Sequence, residues 1–252
     1  MSLSAFVNRL ARAAATPALQ PAWENLLQAS IRLVNVGSAG DPRTSGEIFA
    51  LATNVSAGDI VVDVGANRGM FAKLALDRVP GITVHAIEPQ PDLAEALRKS
   101  QPHLIVHEFA AGDASGSVTL SVPEGSSEMA TLASLVSPTA LRTIRVRMER
   151  LDTWADRNGI SEISYLKMDL EGWECAALGG LSSLLSDRRI RAVQFEHGSA
   201  SPLTNCSFLR KWLILEPQFT IHRILPRGLR RVPAYDPTFE IARTANYLAL
   251  LK

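Results

Sequence analysis

Three acids, each at a point where an apolar run meets a turn, are the residues of this chain best spaced to do chemistry. Residues 61–69 read Val-Val-Asp-Val-Gly-Ala-Asn-Arg-Gly, a buried strand entering a glycine-bearing turn, and residues 70–77 read as the helix that follows. Such a strand–turn–helix is the nucleotide-cradling corner of a doubly wound α/β sheet. Gly65 and Gly69 stand as G-x-x-x-G, without the middle glycine that lets backbone approach a pyrophosphate closely. Asp63 occupies the strand end where a phosphate would otherwise lie, and its charge repels one. The corner suits a nucleoside carrying a cationic amine, a description that S-adenosylmethionine meets.

Nineteen residues past Gly69, Val-His-Ala-Ile-Glu-Pro reads as a second strand ending in Glu88. A carboxylate there can accept both ribose hydroxyls, and the interval of 23 residues from Gly65 is close to the ~20 that role requires. A third strand over 104–109 leads into Ala-Ala-Gly-Asp, where Gly112 and Asp113 can reach the exocyclic amine of adenine. Further along, Met-Asp-Leu-Glu-Gly puts Asp169 and Glu171 at a strand-to-helix turn, with Asp169 facing the methionine end and Glu171 the acceptor. One of the pair could instead cap the helix that follows. Glu196 and His197 close a fifth strand. An imidazole with an ordinary pKa near 6.5 can accept a hydroxyl proton at neutral pH, so His197 is read as the base, with Glu196 or Asp169 orienting it. The cofactor-binding set is Asp63, Gly65, Asn67, Gly69, Glu88, Gly112, Asp113 and Asp169. Ser126, Ser127, Glu171 and Trp173 are read as acceptor-binding, with Glu128 beside the serines. Asp169, Glu171, Glu196 and His197 also have the composition of a hard-cation site, but Mg²⁺ is not favoured over the histidine.

The elements that position these residues alternate strand and helix. Strands are expected over 163–168, 190–195, 219–224 and 246–251, and helices over 151–158, 172–185 and 205–213. Cleanly alternating runs at 116–122 and 144–148 flank a polar insertion at 123–134. From residue 222, ten residues carry four arginines and read either as an anion-binding loop or as a solvated face. Residues 1–20 are rich in Ala and Leu and carry Arg9 and Arg12. Phe6, Leu10 and Ala14 fall on one helical face there, as in a helix packed on the domain or on a second subunit, with a transit peptide as the alternative reading.

Together the blocks from Val61 to Gly69, Ala-Ile-Glu-Pro-Gln-Pro (86–91), Arg-Leu-Asp-Thr-Trp (150–154), Leu-Lys-Met-Asp-Leu-Glu-Gly-Trp-Glu (166–174) and Gln-Phe-Glu-His (194–197) resemble the FkbM-type S-adenosylmethionine-dependent methyltransferases. The resemblance covers roughly residues 45–252, and the Lys-Met-Asp-Leu-Glu-Gly block is its most specific part. It implies a class I methyltransferase domain, Rossmann-like and doubly wound, with a mostly parallel seven-stranded sheet over 45–252 behind an N-terminal helical extension over 1–44. It also implies methyl transfer to hydroxyl groups of sugars and secondary metabolites.

The composition fits one domain of this kind. With 252 residues, 46% hydrophobic and 20% charged, the chain can bury a sizeable core. A net charge of +1 gives no overall field to attract nucleic acid, and no apolar run approaches a membrane span. Cys175 and Cys206 are 31 residues apart, show no metal spacing, and read as packed thiols. The expected setting is the cytoplasm, with a small hydroxylated acceptor and a homo-oligomer through the N-terminal helix as the alternative to a monomer. Two rival readings share the fold. A nicotinamide-dependent oxidoreductase would show a G-x-G-x-x-G turn and a Tyr-x-x-x-Lys pair, and both are missing. A non-catalytic adenosine-binding module is discriminated by the intact series of acids. A nucleic-acid methyltransferase would carry an Asn/Asp-Pro-Pro-aromatic block on strand four, where this chain has Met-Asp-Leu-Glu-Gly-Trp.

Overall fold

Short β-branched and aliphatic runs form the parallel strands, because a strand covered by helices on both faces must be apolar on both. In chain order the strands are β1 (Ile60–Val64), β2 (Thr83–Ile87), β3 (Ile105–His107), β4 (Ala110–Ala111), β5 (Gly116–Pro123), β6 (Leu141–Glu149), β7 (Tyr165–Met168), β8 (Ala192–His197), β9 (Phe219–Leu225), β10 (Gly228–Arg231) and β11 (Ala245–Leu251). The computed structural model describes residues 8, 9, 11, 14–37, 41–123, 141–198, 200, 201, 204–241 and 243–252.

Eight of these strands make one sheet in the order β10-β9-β11-β8-β7-β1-β2-β3. The pairs β3/β2, β2/β1, β1/β7 and β7/β8 are parallel, whereas β11 runs antiparallel to both β8 and β9. Seven of the eight are the strands expected from the sequence. The eighth, β10, is the far arm of a hairpin built from the arginine-rich run: Arg230 pairs with Arg223 and Arg231 with His222. Those arginines do not gather into one anion site. The Arg223 guanidinium lies over the rings of Phe239 and Tyr247, at 5.4 and 5.6 Å, while Arg227, Arg230 and Arg231 are exposed.

From β1 the chain proceeds through β2 to β3 in one direction, then returns to the other side of β1 with β7 and β8. The order therefore reverses between β1 and β7, and the crevice beyond their carboxyl ends is where such sheets bind ligands. Gly65 is obligatory at that point. It has φ +81°, and a Cβ there would lie 2.1 Å from the carbonyl oxygen of Asp169. Gly65→Ala is expected to cost about 1–3 kcal/mol in backbone strain alone. The clash adds to this, so a melting temperature unchanged from the parent would contradict the assignment.

Strand alternation divides the core into two layers. Val62, Val64, Leu166, Met168, Val193 and Phe195 face one layer. Val61, Tyr165 and Ala192 face the other, where the helix Met70–Arg78 packs through Phe71, Ala72 and Ala75. On this second face the polar residues Asp63, Lys167 and Gln194 stand in register on β1, β7 and β8.

A smaller sheet, β4-β6-β5, lies beside the main one. The insertion between β5 and β6 falls outside the described residues, and so do Ser126, Ser127 and Glu128. The N-terminal helix expected through Phe6 and Leu10 lies largely outside them as well. The described helix Gln20–Leu33 buries Ile31 and exposes Trp23, Leu26 and Leu27. The helix expected over 172–185 is two shorter ones, Glu174–Gly179 and Ser182–Ser186. No helix among the described residues is long and apolar enough to cross a membrane. Cys175 and Cys206 are not separate packed thiols: they are joined as a disulfide, with Cα atoms 5.4 Å apart. Spacing in sequence carried no sign of that proximity.

Candidate active site

The β1 turn and the end of β2 build the first wall of the crevice together. Glu88 follows β2 and is buried. Its Oε2 accepts the Asn67 N–H at 2.8 Å and its Oε1 accepts the Gln90 N–H at 2.9 Å. The Gln90 side chain also hydrogen-bonds to this carboxylate, which still leaves a lone pair for a ligand hydroxyl. Burial pushes the Glu88 pKa up to about 7, against the pull of those two N–H groups. The cavity in front of Glu88 is lined by the apolar side chains of Ile87, Phe109, Ala110, Leu120 and Trp173. The buried Trp173 Nε1–H meets no acceptor among the described residues.

A second cavity, about 320 Å³ against about 110 Å³ for the first, opens on the polar face of the sheet. The two share Gly65, Asn67, Asp169 and Glu171, and so form one continuous cleft. Asp63, Lys167, Glu196 and Glu47 line the second cavity. Glu47 is brought in by the turn at Gly46, where φ is +96° and a Cβ would lie 2.1 Å from the Leu225 carbonyl oxygen. Burial raises the Glu171 pKa to about 7, with the charges of Asp169 and Glu174 adding to it. Burial, then Asp169, Glu171 and Glu174, holds Glu196 well above the usual carboxylate range.

The loops carrying these acids are fastened from below by one buried cation. Lys211, in the helix Phe208–Leu215, donates to the Glu196 carbonyl at 2.8 Å and to Ser201 Oγ at 3.2 Å, and lies 3.3 Å from Glu174 Oε2. Glu174 Oε1 in turn accepts the N–H groups of Leu170 and Gly172. The Asp169–Gly172 turn and the end of β8 are thereby tied to a single ammonium.

His197 is the principal departure from the sequence reading. Residues 193, 195 and 197 share one face of β8, whereas 194 and 196 share the other. Glu196 therefore enters the cleft and His197 points to the opposite layer, edge-on to Phe208 with ring centroids 5.6 Å apart. It is 1% exposed and lines a small separate cavity with Arg223 and Tyr247. Burial, with Lys211 nearby, lowers its pKa to about 4, so the ring is neutral at pH 7 but cannot reach the cleft. The set Asp169, Glu171, Glu196 and His197 is consequently not assembled around one point, and no cluster suited to a metal occurs among the described residues.

Gly112 and Asp113 also lie elsewhere. The chain leaves the main sheet after β3 and re-enters as β4 of the smaller one, so Phe109 to Ala111 border the cavity instead. Gly112 packs on Met148, and Asp113 is exposed with its carbonyl accepting from Arg150 at 2.8 Å. Gly69 precedes the helix Met70–Arg78 without lining either cavity. Glu47, Gln90 and Lys167 were not anticipated. A lysine inside an otherwise apolar strand was the available signal for Lys167; Glu47 and Gln90 had none.

The family profile described as the Methyltransferase FkbM domain matches residues 63–220. The chain belongs to the FkbM methyltransferase family. Among curated relatives, the 31-O-demethyl-FK506 methyltransferase FkbM of Streptomyces tacrolimicus is 58% identical over 41 residues, which is 16% of this chain and 16% of that protein. The 2-O-methyltransferase NoeI of Sinorhizobium fredii is 24% identical over 186 residues, 68% of this chain and 76% of that one. Among solved structures, a TehB-like SAM-dependent methyltransferase from Corynebacterium glutamicum is similar at TM-score 0.47 and 12% identity, over 92% of this chain and 100% of that chain. A SAM-dependent O-methyltransferase from Thermotoga maritima is similar at 0.42 and 10%, over 82% and 65%. The matched segment runs from Asp63 of β1 through β7 and β8 to the start of β9.

Proposed function

We propose that this FkbM-family chain is an S-adenosylmethionine-dependent O-methyltransferase whose acceptor is a hydroxyl of a sugar, glycoside or polyketide-type metabolite. The observation that carries the cofactor reading is the Glu88 carboxylate, fixed by two backbone N–H groups at the wall of the cleft and able to accept a ribose diol. Two further features fit the same ligand. Asp63 is fully buried on the cleft, and neither of its oxygens accepts a hydrogen bond among the described residues, as suits a site for a cationic amine. Gly65, at the end of the same strand, lines both cavities of the cleft.

When bound, S-adenosylmethionine supplies a methyl group on a positively charged sulfur, which is already electrophilic. The chain's own residues then have to hold the acceptor, exclude water and take the hydroxyl proton. Glu196 replaces His197 as the proton acceptor in this reading. It faces the cleft beside Asp169, and a carboxyl with a raised pKa is better matched to proton transfer near neutrality than an ordinary one. Support for a hydroxyl acceptor comes from the names of the two curated relatives, both O-methyltransferases.

The ionised form of Glu88 is the stronger acceptor for ribose hydroxyls. Because its pKa in the free chain is raised to about 7, S-adenosylhomocysteine affinity is expected to climb as pH rises through that value and to level off above it. Calorimetry across this range checks the sign, and Glu88→Gln should flatten the curve. For the reaction, the chain would be incubated with S-adenosylmethionine and a panel of methyl glycosides and macrolides. A product heavier by one methyl group on oxygen is expected, and methylation confined to nitrogen or carbon would overturn the acceptor class.

A further inference from the structure

Ribose recognition leaves the charge pattern of the second cavity unused. Asp63 and Lys167 are paired residues on β1 and β7, side by side on the polar face, and Lys167 Nζ lies 3.5 Å from Asp63 Oδ1. That separation is an ion pair without a hydrogen bond. Lys167 is 5% exposed and makes one hydrogen bond among the described residues, to Asp169 Oδ2 at 3.3 Å, with the Phe71 ring centroid 5.2 Å away. An ammonium has three donors, so its capacity is not used up. Asp63 is fully buried with both oxygens unbonded among the described residues. Buried charges left short of hydrogen bonds are costly, and native structures keep them where something else completes them.

The surroundings hold this pair in place. Tyr165 donates to Gln194 Oε1 at 2.6 Å, and Gln194 Nε2 donates to Glu47 Oε2 at 2.6 Å, so the residues flanking Lys167 are themselves locked. Burial works against the charge on Lys167, but Asp169, Asp63 and Glu47 outweigh it and keep the ammonium protonated. The other ionisable groups on the cavity wall are carboxylates, apart from Arg68, which is exposed. An incoming carboxylate would therefore be repelled everywhere except beside a cation.

We propose that Lys167 binds the α-carboxylate at the methionine end of S-adenosylmethionine, beside the Asp63 carboxylate already read as the site of its ammonium. This rests on the cofactor reading above. An α-amino acid presents opposite charges on one carbon, and the cavity wall presents the complementary pair 3.5 Å apart. Glu47 and Gln194 act behind Lys167 as positioning residues.

The test removes the carboxylate from the ligand and the ammonium from the protein in turn, so that general damage to the fold cancels. S-adenosylhomocysteine is compared by calorimetry with its decarboxylated analogue, which keeps the nucleoside, sulfur and amine. The full chain should prefer S-adenosylhomocysteine by ~tenfold or more, the scale of a hydrogen bond to a charged group. In Lys167→Met the preference should fall to near unity, and in Arg68→Ala it should persist. Equal affinities in the unsubstituted chain would overturn the proposal even if Lys167→Met did not fold, while leaving the cofactor reading intact. A preference unchanged in Lys167→Met, or lost in Arg68→Ala instead, would also overturn it. No binding of S-adenosylhomocysteine at all would remove the cofactor reading and this proposal with it.

Discussion

Glu196→Gln is expected to lower turnover on a hydroxyl acceptor by ~10²–10⁴, the usual contribution of a positioned base, while S-adenosylhomocysteine affinity changes little. The carboxamide keeps the shape of the side chain but cannot take a proton. The pH profile gives an independent sign. Burial and the neighbouring Asp169 and Glu171 raise the Glu196 pKa well above the carboxylate range, and only the ionised form is a base. The rate should therefore increase with pH through that raised value, and the increase should vanish in Glu196→Gln. His197→Ala should leave the rate per folded molecule within a few-fold of the parent. Its cost should appear as lower stability, since the ring is buried against Phe208. The chelation arm is also informative. If a cation at Asp169 and Glu171 acidified the hydroxyl, a chelator would abolish activity and Mg²⁺ would restore it; the base route predicts no effect. A large loss in His197→Ala with an intact fold would return the proton to the histidine.

Glu88→Ala is expected to weaken S-adenosylhomocysteine binding by about 1–3 kcal/mol, the range for a lost hydrogen bond to a charged group. The effect is specific to the ribose because Glu88 faces the first cavity, away from Lys167 and Glu196. It also leaves the N–H groups of Asn67 and Gln90 without their acceptor, so the β1 turn should loosen along with the affinity. Equal affinities of mutant and parent would sink the ribose assignment. The same titration with NAD should show no measurable heat, because Asp63 disfavours a pyrophosphate at the turn.

The predicted residues that the structure places at the cleft are those whose position along a strand decides it. Gly65, Glu88, Asp169, Glu171, Glu196 and Trp173 all reach the cleft because strand ends in this topology converge there. His197 shows the limit of that reasoning. Being last in a strand says that a residue is near the crevice, but its parity decides which layer it faces, and parity depends on register. The apolar residues Val193 and Phe195 carried that register, and they assign His197 to their own side. Asp113 was displaced for another reason: the chain changes sheets between β3 and β4, two residues with no turn signal strong enough to show it. Glu47 could not be read at all. It lies outside the family segment and enters the cavity only through the packing of Gly46 on β9. The disulfide likewise links two segments that only folding brings together.

A crystal structure of the chain with S-adenosylhomocysteine would test the cofactor site most directly. The ribose hydroxyls are expected within hydrogen-bond distance of the Glu88 carboxylate, and the amino-acid end beside Asp63 and Lys167. A ligand seated elsewhere, or a ribose turned away from Glu88, would contradict the account.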